Sequence, residues 1–376
     1  MSYPRPLLLY KIMLKDTLLD TLSIAARTPT GSLFSKVFFF HDVRITCQTN
    51  HPIIAATLDQ MLGFFPEPVQ IRGEVTYYIF CYDNISEFPV QLPQRRTRTD
   101  TMRLLTNTKL KYYRAIDSTL QYQSYLALPP VNEAALSVID MSHGVALTQL
   151  ARPEQYQAAF LRRYVFLLAL GQLMQAYGFM PYHAGAVTAP GNDALGALLL
   201  GTSGSGKTTL SIGCANDGFG LLGDDLVMLR TATRDGSIGA YAISQEISVR
   251  SGSLDLWPTL SFIRGLPTDL RDKRYCTIEQ IHPGATRIQT SIRLLLFPSL
   301  ITAKQSIATP LSKAGTLQEL VEACLDKKAL SSQAQEQLFT FLSKLAEQAP
   351  GYRLQIARGA NDGPQHVYSL LTGHQP

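Results

Sequence analysis

A glycine-rich loop constrains the fold of this chain more than any other feature. Residues 198 to 210 are LLLGTSGSGKTTL, and residues 201 to 208 fit the pattern G-x-x-x-x-G-K-[ST] without a mismatch. Glycines permit a tight turn in which successive backbone N–H groups point at phosphate oxygens. Lys207 supplies a charge for the terminal phosphates, and the Thr208 hydroxyl suits Mg²⁺. The pattern therefore predicts a nucleoside-triphosphate site.

The segments on either side of the loop favour this interpretation over a glycine- and serine-rich turn that binds nothing. Residues 196 to 200 are apolar and uncharged, as in a buried parallel strand. Residues 208 to 217 predict a helix whose N-terminus faces the anion, with Gly218 in the C′ position. The residues predicted to bind the nucleotide are Gly201, Thr202, Ser203, Gly204, Ser205, Gly206, Lys207, Thr208 and Thr209.

Two adjacent carboxylates follow a short apolar strand. Asp224 and Asp225 lie 17 and 18 residues after Lys207. A carboxylate in this position can bind Mg²⁺ directly or through water, and its neighbour can accept a proton from an attacking hydroxyl. The alternative is a turn with two solvated aspartates. His183 lies 24 residues before Lys207, and a single histidine is more often structural than functional.

Together these residues resemble the HPr kinase/phosphorylase family and related kinases. His183-Ala-Gly-Ala, the loop at 201 to 208 and Gly223-Asp224-Asp225 have the order and spacing of that family's motifs over roughly residues 180 to 300. The resemblance implies an α/β, P-loop-containing catalytic domain similar to HPr kinase and phosphoenolpyruvate carboxykinase. It implies ATP and Mg²⁺ as cofactors and a serine or threonine hydroxyl as acceptor.

The resemblance also implies a role for each matching residue. Lys207 would contact the β- and γ-phosphates, and Thr208 and Asp224 the metal. Asp225 would be the catalytic base, with Asp224 beside it and His183 near the γ-phosphate.

One motif departs from the family pattern. Members carry E-I-R-G-L-G after the aspartate pair, and its glutamate helps to hold the metal. The matching run here is ISVRSGSLDLW, in which Arg250 retains the arginine but Ser248 replaces the glutamate. Glu246 would take that place only if the strand shifted by two residues. The departure favours a divergent member, similar to HPr-kinase-like proteins that modify ribosomal peptides such as lasso peptide precursors.

Four functions fit these residues. The first is a kinase for a hydroxyl of a protein or peptide, and the second is a small-molecule kinase, because phosphoryl transfer needs the same groups for any alcohol. The third is a bifunctional HPr kinase/phosphorylase, which Ser248 disfavours. The fourth is a nucleotide-gated binding protein, which would need no base at Asp225.

The chain is long enough for two domains, which we place at residues 1 to 150 (α+β, substrate recognition) and 151 to 376 (catalytic). Residues 37 to 48 and 69 to 82 predict strands, and the helix between them should begin at Asn50 or His51. Residues 155 to 177 predict a helix that packs on the catalytic sheet. Residues 95 to 114 carry seven Lys and Arg residues against one Asp, which fits a solvated hairpin or a contact for an acidic partner.

The composition of the chain indicates which classes of binding partner and which cellular compartment to expect. The formal net charge of +5 does not imply a nucleic-acid partner, and the apolar segments are too short to span a membrane. The five scattered cysteines fit reduced thiols in a cytoplasm, and lysines and an aspartate interrupt the apolar start before a secretory signal forms. Whether the chain forms a homo-oligomer stays open.

Overall fold

The computed structural model divides the chain into two compact units, Met1–Ala176 and Tyr177–Pro376. It describes residues 32–90, 99–105, 108–114, 120–126, 134–232, 235–268, 272–323, 332–358 and 361–373. Both units combine helices with sheets, so the fold is mixed α/β. The division falls after residue 176, whereas we placed the domain boundary near residue 150.

A single sheet organises the described part of the first unit. Its strands run in the order β1-β2-β3-β8-β7-β6-β5-β4. The strands are β1 (Phe34–Phe40), β2 (Val43–Thr49), β3 (Gly73–Tyr82), β4 (Thr99–Leu105), β5 (Thr108–Arg114), β6 (Leu120–Leu126), β7 (Ala134–Asp140) and β8 (Val145–Ala151). The single strand predicted over 37 to 48 is wrong: His41, at φ 54°, and Asp42 form a turn that splits it into the antiparallel pair β1 and β2.

The helices of the first unit follow from local signals. Helix α1 (Pro52–Leu62) begins as predicted, with His51 as N-cap, its side chain accepting from the Ile53 N–H, and with proline at the first position. A helical turn (Ala158–Phe160) and a π-helical turn (Leu161–Phe166) lead into α2 (Leu167–Gln175). Helix α2 packs against β7 and β8, so its predicted packing on the catalytic sheet is wrong.

The second unit is built on a larger mixed sheet. The main order is β12-β10-β11-β17-β14-β13-β9, while β19 pairs with both β17 and β18. The strands are β9 (Met180–Tyr182), β10 (Ala184–Ala189), β11 (Asn192–Leu200), β12 (Gly220–Gly223), β13 (Val227–Thr231), β14 (Ile238–Ala242), β17 (Gln289–Ile301), β18 (Ile307–Pro310) and β19 (Gly351–Ala357). Strands β15 (Glu246–Arg250) and β16 (Lys273–Thr277) form a separate antiparallel pair.

Two hydrophobic clusters, one on each face of this sheet, contain residues of its helices. These helices are α3 (Lys207–Asn216), α4 (Ser251–Leu256), α5 (Ile278–Ile281), α6 (Lys313–Ala323), α7 (Ser332–Gln348) and α8 (Gly363–Thr372). Gly218 lies just beyond α3 at φ +85°, which confirms the predicted C′ glycine.

Strand β11 carries the apolar run that precedes the loop. Ala197 and Leu199 belong to one hydrophobic cluster, and Leu198 and Leu200 belong to the other. Successive side chains of a strand point to opposite faces, so a strand covered on both faces must be apolar throughout. We predicted a parallel strand before the loop. This is confirmed for one neighbour only, because β11 is parallel to β17 but antiparallel to β10.

Two further observations concern the class of protein. Among the described residues, no helix is both long and apolar enough to cross a membrane. The four described cysteines, Cys47, Cys81, Cys214 and Cys276, are free thiols, and Cys324 lies outside the described residues.

Candidate functional site

The glycine-rich loop connects β11 to α3 at the carboxyl end of the strand. Gly201, Gly204 and Gly206 have φ values of +141°, +90° and +103°, a region that residues with a side chain rarely adopt. Gly206 is the N-cap of α3, so the loop leads directly into the positive end of a helix dipole. Sequence and conformation together make this segment a suitable cradle for phosphate.

Ser205 lies in the loop and Thr209 in the first turn of α3. The Ser205 Oγ is buried and has no hydrogen-bond partner among the described residues. Such a hydroxyl is costly unless a ligand or water satisfies it. The Thr209 Oγ1 lies 3.2 Å from the Ser253 Oγ and thus connects α3 to α4.

Lys207 is 5% exposed and folds back over the loop. Its ammonium donates to the carbonyl oxygens of Gly201, at 2.6 Å, and Thr202, at 3.1 Å. The His183 Nε2 lies 3.4 Å from the same Nζ atom. Burial lowers the pKa of Lys207 below its usual range, while the nearby carboxylates of Asp225 and Asp224 act in the opposite direction.

Close packing under the loop brings the separate motifs together. A Cβ added at Gly185, in β10, would lie 3.2 Å from the Ser211 Oγ of α3 and 3.3 Å from the carbonyl oxygen of Asp224. Glycine therefore lets β10 approach both α3 and the end of β12. Strands β11 and β12 are both antiparallel to β10, so their carboxyl ends meet at the same edge of the sheet. Strand β10 lies between them in the sheet.

His183 connects Lys207 to Asp225. Its Nδ1 lies 2.7 Å from the backbone oxygen of Asp225 and 3.2 Å from the carboxylate Oδ1. Both partners are acceptors, so they assign the ring hydrogen to Nδ1 and leave Nε2 as an acceptor facing Lys207. Burial lowers the pKa of His183 below its usual 6.5, although Asp225 opposes this effect. The imidazole is therefore neutral at pH 7.

Asp224 is almost completely buried, at 2% exposure, and is held by residues from two elements. Its Oδ2 accepts from the Thr208 hydroxyl at 2.9 Å and from the N–H and the hydroxyl of Ser248, each at 3.2 Å. Ser248 therefore contacts Asp224 through both its backbone N–H and its side chain. Glu246 begins the same strand two residues earlier.

The residues present fit a magnesium ion. The Thr208 hydroxyl and the Asp224 carboxylate are hard oxygen donors, and the 2.9 Å between them matches the spacing of adjacent ligands that each lie about 2.1 Å from Mg²⁺. No cluster of three His, Cys, Asp or Glu side chains suited to a metal occurs among the described residues. Mg²⁺ commonly takes the rest of its ligand set from substrate phosphates and water.

Sequence reasoning missed one charged residue of the site. Lys273, the first residue of β16, donates to the Asp225 Oδ2 at 3.1 Å and to the Ser248 Oγ at 3.2 Å. Lys273 belongs to no sequence motif. It reaches the site because β16 pairs with β15, which places Lys273 opposite Arg250. Arg250 in turn donates to the Ser203 Oγ of the loop at 3.0 Å.

Comparison with known proteins gives limited similarity. Neither the protein-family models nor the curated proteins include a match. Among solved structures, the Hpr(Ser) kinase/phosphatase from Coxiella burnetii is similar to this chain at 16% identity and a TM-score of 0.30. The similarity covers 52% of this chain and 90% of that one. It is too slight to assign a fold or an activity to the present chain.

Proposed function

We propose that this protein is an ATP- and Mg²⁺-dependent kinase that transfers the γ-phosphate to a serine- or threonine-type hydroxyl of a protein or peptide. The observation that carries the proposal is the chain of contacts Lys207–His183–Asp225. In it, the imidazole of His183 contacts the Lys207 ammonium of the loop on one side and the Asp225 carboxylate on the other. A site that only bound nucleotide would not need a base at this position.

The loop and its flanking residues would bind the nucleotide. The backbone N–H groups at the start of α3 and the Lys207 ammonium would hold the phosphates. Arg250 lies close to the loop, because its guanidinium donates a hydrogen bond to the Ser203 Oγ. Thr208 and Asp224 would hold Mg²⁺. When bound, the ion neutralises the charge that develops on the phosphate oxygens.

Asp225 would act as the base. Its side chain is 24% exposed, which leaves it accessible to an incoming hydroxyl, whereas Asp224 is buried. The hydroxyl oxygen forms the new bond to phosphorus while the bond from phosphorus to the ADP oxygen breaks. The hydroxyl proton passes to the Asp225 carboxylate, and the Nδ1–H of His183 and the ammonium of Lys273 hold the two carboxylate oxygens in place.

A peptide acceptor is the finer part of the proposal. It rests on the resemblance to peptide-modifying kinases and on the basic stretch of the first unit. That stretch includes β4 and β5, in which Arg103 pairs with Lys109, while residues 95 to 98 and 106 to 107 lie outside the described residues. Basic residues of this kind can attract an acidic leader or an acidic protein surface.

Labelling with γ-³²P-ATP and Mg²⁺ tests the proposal. The protein is incubated with a pool of serine- and threonine-containing peptides, with the same pool carrying alanine at those positions, and with a mixture of small polyols. We expect label in the first pool only, and no label with Lys207→Ala. Label in the polyols would instead indicate a small-molecule kinase. Nucleotide binding without transfer to any pool would favour the nucleotide-gated binding protein.

A further inference from the structure

Lys273 is a buried cation inside the candidate site. The residue is 8% exposed, and its Nζ lies 3.1 Å from the Asp225 Oδ2 and 3.2 Å from the Ser248 Oγ. A buried ammonium is costly unless anionic and polar groups compensate for its lost hydration. Asp225 and Ser248 provide that compensation, so the lysine and the carboxylate form one unit.

The hydrogen bonds have a defined direction. An ammonium can only donate, so the Ser248 Oγ accepts from Lys273. The single hydroxyl hydrogen of Ser248 then goes to the Asp224 Oδ2 at 3.2 Å. The result is a continuous connection from Asp225 through Lys273 and Ser248 to Asp224. The ammonium and the hydroxyl together bridge the two carboxylates.

Two carboxylates and a hydroxyl so close together would otherwise suit a divalent cation. Many phosphoryl-transfer sites use two such ions on paired carboxylates. Here Lys273 already contacts the second carboxylate, and a divalent ion on the same oxygen would be strongly repelled by the ammonium. Thr208 and Asp224 contact each other at 2.9 Å, a spacing that suits two ligands of one ion.

We infer that Lys273 is the resident cation of the aspartate pair, a positioning residue for Asp225 that takes the place of a second divalent ion, so that the enzyme uses one divalent ion per active site. This inference rests on the proposed function, because it concerns a site that binds Mg·ATP. It goes beyond that function by setting the metal stoichiometry and by assigning a role to a residue outside the loop and the aspartate pair.

The test counts bound Mn²⁺ by electron paramagnetic resonance in the presence of a saturating non-hydrolysable ATP analogue. We expect one Mn²⁺ per chain in the wild type and in Lys273→Arg, which keeps the charge. Lys273→Met removes the charge at similar length, and we expect it to bind a second Mn²⁺ at least tenfold more tightly than the wild type. Two tightly bound Mn²⁺ ions in the wild type, or no gain in Lys273→Met, would overturn the inference.

A second measurement needs no nucleotide and uses urea unfolding of Asp225→Asn, Lys273→Met and the double variant. If the two side chains act as one unit, their effects on the unfolding equilibrium constant will be coupled by at least tenfold. Additive effects would contradict the unit. Calorimetry of the analogue separates the two proposals: a wild type that binds no analogue overturns both, whereas analogue binding with two Mn²⁺ ions overturns the metal stoichiometry alone.

Discussion

Replacing Asp225 by asparagine removes the proposed base while preserving its shape. The carboxylate contacts His183 Nδ1 at 3.2 Å through Oδ1 and Lys273 Nζ at 3.1 Å through Oδ2. The amide oxygen of asparagine can still accept one hydrogen bond, but it has no negative charge and no appreciable basicity. The variant therefore separates proton acceptance from the packing of the site.

The expected effects follow from these contacts. Loss of a general base lowers the transfer rate by ~10²–10⁴-fold, equivalent to about 3–5 kcal/mol of activation free energy. The free energy of unfolding should fall by about 1–3 kcal/mol, since the Lys273 ammonium loses a charged partner in a largely buried position. The affinity for Mg·ATP should change little, because no loop contact is altered.

Transfer to the peptide pool under single-turnover conditions measures the rate, and calorimetry with the ATP analogue measures the affinity. Asp217→Asn is the matched control. This exposed aspartate lies at the other end of α3, where it accepts from Gln365 at 3.0 Å, and the substitution removes the same charge. The control should transfer phosphate at the wild-type rate.

Two results would refute this reasoning. A wild-type rate in Asp225→Asn would move the role of base to Asp224 or His183. Loss of analogue binding with Mg²⁺ would instead mark Asp225 mainly as a metal ligand.

Three further predictions concern the loop, the histidine and the direction of the reaction. Lys207→Ala should abolish turnover and greatly weaken Mg·ATP binding, and unchanged affinity by calorimetry would contradict the loop assignment. His183 is neutral when folded and has a lowered pKa, so the unfolded chain binds more protons just below pH 6.5. The free energy of unfolding that a neutral His183 contributes should be present above pH 6.5 and should fall by at most ~1.4 kcal/mol per pH unit as the pH drops through the folded pKa. Urea unfolding measures this slope, which His183→Gln should lack. Equal slopes in the wild type and in His183→Gln would refute the prediction. Because Ser248 stands where the resembling family has a glutamate, the site has one carboxylate fewer, and the protein should release no pyrophosphate from phosphorylated HPr and millimolar phosphate. Pyrophosphate release at a rate comparable to the forward reaction would make the bifunctional interpretation correct.

Local signals in the sequence predicted the parts of the structure that depend on neighbouring residues. Glycines with positive φ occur at Gly201 and Gly206, where the loop pattern requires them, and at Gly204 between them, and Gly218 lies just beyond the end of α3. The first helix begins at its predicted cap. These features are fixed by backbone sterics and by hydrogen bonds within a few residues, so a short pattern is enough to find them.

The features that sequence reasoning missed depend on long-range packing. The helix at residues 167 to 175 is mostly apolar, but its sequence does not say which of two sheets it will cover. Lys273 enters the site only because β16 pairs with β15, which brings it beside Ser248, 25 residues earlier in the chain. A lysine at the start of a strand, between Asp272 and Arg274, is normally a solvated residue, and no local signal distinguishes this one.

The two lysines of the site have different partners, and this difference supports the two roles that we propose for them. Lys273 is paired with a carboxylate, so its charge is already compensated before any ligand arrives. Lys207 contacts two neutral carbonyl oxygens of the loop and the acceptor nitrogen of a neutral imidazole. Its charge is therefore the one that a phosphate group would compensate best. In the proposed kinase, the Lys273 ammonium would hold the base, and the Lys207 ammonium would hold the phosphate group that is transferred.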